Sequence, residues 1–192
     1  VIACNTATAA AAEAIRAATA LPVVALEPGV KPAAVLTRSG VIGVLATTRT
    51  LESERFQRLV GNHANHVRVV ARACPGLAEA IEAGGADSPE VEALLDAHVA
   101  PIAQAGADVV VLGCTHYPWI SEAIARRLPA GTALLDTGEA VARQLERLLL
   151  AGGLLGGGDG RLTLATSGAP LAVTATVDLL FGAKMHVEHW EP

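Results

Sequence analysis

Two short segments of this chain set a cysteine among hydroxyl and amide side chains at the end of an apolar run. Val1-Ile2-Ala3 leads into Cys4-Asn5-Thr6, and Val111-Leu112-Gly113 leads into Cys114-Thr115-His116. Seven residues after each Thr comes the same triplet, Glu13-Ala14-Ile15 and Glu122-Ala123-Ile124. Leu21-Pro22 and Leu128-Pro129 then close the two stretches. The match reads as an internal duplication that presents one cysteine per half; the competing reading is chance in an Ala-rich chain.

Paired thiols suit one kind of chemistry. Inverting a carbon that carries a weakly acidic proton needs a base on one face and an acid on the other. A thiol, with an unperturbed pKa of about 8.5 that its surroundings can lower toward neutral, can be either. Both cysteines are expected just before a helix N-terminus, where the macrodipole favours a thiolate and free amides can hold a carboxylate. Taken singly, each could instead be a small buried hydrophobe. Asn5, Thr6 and Thr115 can cap the following helix, bind a ligand, or do both. His116 can act as acid/base partner to the neighbouring thiol or hold a carboxylate, or it can simply start a helix. Cys74, in the turn Ala73-Cys74-Pro75-Gly76, has no matching copy and reads as structural. The pairs His63/His66 and His186/His189 lack a third ligand of suitable spacing, so no metal site is expected.

Such residues need elements to position them, and the pattern supplies an α/β protein. Apolar runs at 1–3, 23–26, 41–46, 67–71, 109–112, 133–135 and 162–165 predict strands. Stretches at 7–19, 51–63, 77–82, 89–104, 120–127, 139–151 and 174–181 predict helices between them. Strands without polar alternation belong to parallel sheets covered on both faces, which bind ligands beyond the strands' carboxyl ends. The Gly-rich run at 152–160 lacks the Lys and Ser/Thr of a phosphate cradle and reads as a flexible loop. Hydrophobic residues make up 52% of the 192 and charged ones 17%, the balance of a folded core. A formal charge of −5 with scattered arginines argues against nucleic acid, and no apolar run is long enough for a membrane span. Three widely spaced cysteines argue against a disulfide framework and for a reducing cytoplasm. Lys31 and Lys184, the only lysines, stand beside no phosphate-binding pattern, so neither a pyridoxal cofactor nor any other is expected.

The segments ACNTATAAA at 3–11 and VVLGCTHYP at 110–118 resemble the two signature segments of glutamate racemases. PGVKPAA at 28–34, GVLATTRT at 43–50, ACPGLAEAIE at 73–82 and TSGAP at 166–170 are similar to that family as well, so the resemblance covers nearly the whole chain. It implies a cofactor-independent isomerase that interconverts L- and D-glutamate for peptidoglycan synthesis. It implies that Cys4 takes the proton from the D-isomer and Cys114 from the L-isomer. His116 and Glu82 match positions that support the thiols. Asn5, Thr6, Thr115 and His116 match positions that hold the amino acid, and Thr47 and Thr50 a Thr-rich turn near its carboxylate. The implied fold is two pseudo-symmetric α/β lobes with mainly parallel sheets flanked by helices. The second lobe is expected at 29–135 and an incomplete first lobe at 1–28 and 136–192. The expected partner is the small-molecule substrate glutamate, with a homodimer as the assembly.

Two departures from the family stand out. Arg49 occupies a place where many relatives have Gly. The family also opens with a strand ending in Asp-Ser and a later Pro-Tyr-Gly segment, and neither occurs here. With no initiator Met before Val1, the chain is expected to be a piece lacking the first strands, inactive on its own and exposing apolar surface where they would pair. Alternatives are another member of the wider superfamily, acting on aspartate, a hydantoin or a malonate, or a non-catalytic remnant. Relatives that act on aspartate usually carry an acidic residue where this chain has His116, which favours glutamate. A thiol-redox role lacks a resolving cysteine nearby in sequence.

Overall fold

The computed structural model describes residues 1–158 and 160–191; Asp159 of the Gly-rich run and Pro192, last residue of the expected first lobe, lie outside the described residues. Its centre is a parallel sheet of four strands: β1 (Val41–Ala46), β2 (Arg68–Ala73), β3 (Val109–Gly113) and β4 (Ala133–Leu135), in the order β2-β1-β3-β4. Side chains alternate across it. Ile42, Val44, Val109 and Val111 enter one core with α2 (Val30–Leu36) and α4 (Glu54–His63). Leu45, Val110 and Leu112 enter another with α5 (Leu77–Gly84), α6 (Pro89–Gln104) and α7 (Ser121–Ala125). Both faces of the two central strands are covered, which is why β1 and β3 read as unbroken apolar runs.

The register positions the site. Ala46 pairs with Ala73 on one side and Gly113 on the other, so β1, β2 and β3 end at one level. Three turns therefore leave the sheet side by side, at 47–50, 74–76 and 114–116. Gly113 is needed at this edge: a Cβ there would lie 2.8 Å from the Leu45 carbonyl oxygen and 2.9 Å from the Ala46 Cβ. Gly76 takes a left-handed φ of 78° that lets the chain turn directly into α5.

Outside this sheet, α1 (Asn5–Ala18) follows Cys4, and the expected strands at 1–3 and 23–26 shrink to one parallel bridge, Ile2 to Ala25. The chain closes with α8 (Gly138–Ala151), β5 (Leu164–Thr166), α9 (Pro170–Phe181) and β6 (Val187–His189), with β5 and β6 in a separate parallel pair.

Two expectations need correction, and one helix, α2, was not expected. The helix expected at 51–63 is two, α3 (Thr48–Glu52) and α4, because the hydroxyl of Ser53 accepts from Phe56 N–H and starts a new helix. The short α2 has too few residues for a periodic signal. The helix expected at 120–127 is a single 3-10 turn (Tyr117–Ile120) running into the five-residue α7, with Pro118 in the tight turn.

Candidate active site

Cys4 is the N-cap of α1, and its Sγ accepts from the Ala7 amide at 3.5 Å. Asn5, next along, is buried; its Nδ2 donates to the Gly113 carbonyl at 2.9 Å, tying the first cysteine turn to the strand that ends in the second. The Asn5 Oδ1 is buried without a partner among the described residues, an acceptor suited to an ammonium group. Thr6 joins a cluster of three hydroxyls, 2.8 Å from Thr47 and 3.1 Å from Thr50, which are themselves 2.9 Å apart.

Cys114 is buried at the end of β3, its Sγ 3.6 Å from His116 Nδ1. His116 Nε2 lies 2.6 Å from Glu82 Oε1. Donation from Nε2 to the carboxylate leaves Nδ1 free to accept the thiol proton. Burial pushes the Cys114 thiol up, and negative charge on Cys4, Glu79 and Glu82 pushes it further; a backbone hydrogen bond from His116 opposes. The expectation that a helix N-terminus lowers this thiol is therefore corrected: beyond Cys114 the chain enters a 3-10 turn rather than a long helix, and desolvation dominates. The influence of Cys4 also means that the two thiols share one electrostatic environment.

The expected residues thus gather at the sheet edge, but not all in one network. Cys114, His116 and Glu82 form a chain, Asn5 reaches Gly113, and Thr6 belongs with Thr47 and Thr50. Thr115 is half-buried, with no side-chain hydrogen bond among the described residues. A groove of about 340 Å³ runs beside Thr6, lined also by Thr47, Arg49, Cys74, Gly76 and Glu79. Cys74 and Glu79 are there because β2 neighbours β1, an adjacency the sequence pattern could not supply. Burial pushes the Cys74 thiol up to about 11, and the buried Tyr117 hydroxyl is its polar neighbour. Of the two HxxH pairs, His63 ends α4 and His189 Nδ1 lies 3.2 Å from the Gly168 carbonyl. No cluster of three metal-ligating side chains forms among the described residues.

A parallel sheet whose edge carries one cysteine turn backed by a His–Glu pair, with a second cysteine turn hydrogen-bonded to it through Asn5, defines an α/β enzyme of thiol acid/base type. The chain belongs to the Asp/Glu/hydantoin racemase family, which it matches over residues 1–145. It is 49% identical over 185 residues to a glutamate racemase of Pseudomonas aeruginosa, covering 95% of this chain and 70% of that protein. With one of Pseudomonas syringae pv. tomato the identity is 53% over 165 residues, covering 85% and 60%. Among solved structures, a glutamate racemase of Bacillus anthracis superposes with a TM-score of 0.83 at 26% identity, covering 98% of this chain and 71% of that one. One of Escherichia coli, in complex with L-glutamate and the activator UDP-MurNAc-Ala, gives 0.79 at 30% identity, with the same coverages of 98% and 71%.

Proposed function

We propose that this chain supplies the two thiols of a cofactor-independent glutamate racemase serving peptidoglycan synthesis. The observation that carries the reading is the 2.9 Å hydrogen bond from Asn5 Nδ2 to the Gly113 carbonyl, which ties the turn bearing Cys4 to the strand end bearing Cys114. One thiolate removes the Cα proton from one face of the amino acid, leaving a carbanion that the carboxylate stabilises. The other thiol delivers its own proton to the opposite face, and the two sulfurs have then exchanged protonation states. The reaction requires one thiolate and one thiol at the start. Repulsion between two thiolates favours that mixed state, since charge on Cys4 opposes ionisation of Cys114. Cys4 is assigned to the D-isomer and Cys114 to the L-isomer.

Around these thiols, Glu82 orients His116, and His116 exchanges a proton with Cys114. The unpartnered Asn5 Oδ1 takes the substrate ammonium, while Thr6 and Thr115, with Thr47 and Thr50 beside them, take carboxylate oxygens. Residues 29–135, which contain the whole four-stranded sheet, are proposed as one lobe. Residues 1–28 and 136–192, with the Ile2–Ala25 bridge and the β5–β6 pair, contribute to the other. No helix among the described residues is long and apolar enough to cross a membrane. Three free cysteines support a cytoplasmic setting, and a homodimer is the proposed assembly, which light scattering reads directly.

The deciding experiment is proton NMR of D-glutamate in deuterated water, using protein expressed from its complete gene with no cofactor added. Loss of the Cα proton signal with appearance of the L-isomer is expected. Folded protein with reduced thiols that exchanges neither isomer of glutamate refutes the assignment, and exchange of aspartate instead moves it to another branch of the family.

A further inference from the structure

One cationic side chain lines the groove beside Thr6, that of Arg49 in α3. It is exposed and, among the described residues, has no ion pair. Arg72, at the end of β2, is felt at the groove-lining Cys74 but does not itself line the groove. The acidic side chain lining the groove is of the opposite sign to Arg49. Glu79 lines the same groove, and charge on Glu79, Glu82 and Cys4 is felt at Cys114. An amino-dicarboxylate approaching this edge carries net negative charge into a field that repels it. A cation on the rim acts within a screening length of about 8 Å at physiological salt and offsets that repulsion.

We propose that Arg49 is a positioning residue that draws the anionic amino acid into the groove and holds a carboxylate at its rim. The identity of the substrate rests on the glutamate reading above, whereas the attraction of anions does not. Steady-state kinetics of Arg49→Ala should show KM for glutamate raised about 3- to 10-fold with kcat within about twofold, because a rim charge acts on association. Arg49→Lys should stay near the parent. Glu79→Gln should move KM the opposite way, as a shared field in the groove requires. The dependence of kcat/KM on ionic strength should flatten in Arg49→Ala.

A charge-matched probe pair tests the attraction without any substrate. Alkylation of the site thiols by anionic iodoacetate should slow about threefold in Arg49→Ala relative to alkylation by neutral iodoacetamide. An unchanged ratio of the two rates, an unchanged KM, or a lysine variant as poor as alanine overturns the proposal. If the parent turns over no glutamate while the alkylation ratio still shifts, the substrate reading fails and the role of Arg49 stands.

Discussion

Removing the Asn5 side chain should loosen the joint between the two cysteine turns, by an amount the geometry sets. Its Nδ2 donates at 2.9 Å to the carbonyl of Gly113, a residue 108 positions away in sequence. The net value of such a bond is about 1 kcal/mol, but a buried carbonyl left without its partner costs about 1–3 kcal/mol. Asn5→Ala should therefore destabilise by roughly 2 kcal/mol, which for a chain of this size lowers the thermal midpoint by about 4–8 °C. Asn5→Asp sharpens the test. It conserves volume and an acceptor oxygen but sets a carboxylate against the carbonyl at neutral pH. Its folded-state pKa then lies above the unfolded value, so its stability is greatest in acid and falls as pH rises through that pKa. Thermal unfolding followed by circular dichroism at pH ~4 and ~7 reads both variants. KM for glutamate should rise in both as well, because the buried Oδ1 acceptor is lost or displaced. Midpoints of both variants within about 1 °C of the parent would show that this bond does not join the turns.

The remaining predictions concern the thiols and their support. Cys4→Ser and Cys114→Ser should each lower turnover by at least ~100-fold, since an alcohol is a far weaker acid than a thiol; retention of turnover by either, measured by circular dichroism of glutamate, refutes the two-base scheme. Cys74 is held as a thiol up to about 11 against an ordinary value of 9.0. Between those values the unfolded chain binds fewer protons than the folded one, so stability is full below pH 9.0 and about 3 kcal/mol smaller above 11. Urea midpoints of Cys74→Ala should fall less steeply over that alkaline window than those of the parent. Glu82→Gln should lower kcat/KM by about 10- to 100-fold by weakening the hold on His116, and equally in both directions, because the equilibrium constant between enantiomers is one. A value indistinguishable from the parent removes Glu82 from the machinery.

How much of the fold and site is legible in the sequence depends on the range of the signal. The strands at 41–46 and 109–112 were readable because runs such as Val109-Val110-Val111-Leu112 are buried on both faces. The cysteine turns were readable from their repeat, and His116 from its place beside Cys114. The contact of Glu82 with His116 spans 34 residues, and only the family resemblance suggested it. The place of Cys74 and Glu79 in the groove follows from the strand order β2-β1-β3, which pattern alone leaves open. The break at Ser53 was missed because the apolar spacing runs on through it while a single hydroxyl cap decides the local geometry. Val1–Ala3 and Val23–Leu26 have strand composition, but strands need partners, and among the described residues these segments pair with each other at one bridge.

The two turns are near copies in sequence and unlike devices in the fold. Cys4 caps a helix of 14 residues, whose amide at Ala7 donates directly to its sulfur. Cys114 is followed by a 3-10 turn of four residues and is itself buried, so it lacks a comparable dipole and bears a larger desolvation penalty. What it has instead is an imidazole at 3.6 Å, held by a carboxylate at 2.6 Å. The first thiol meets a backbone amide of its own helix, and the second meets the ring nitrogen of His116. That difference follows from position. A thiol at the mouth of a helix has backbone amides for partners, whereas one sunk at the end of a central strand depends on a side chain for a polar partner. The His–Glu pair therefore belongs on the Cys114 side, and an added His beside Cys4 would have no comparable burial to offset.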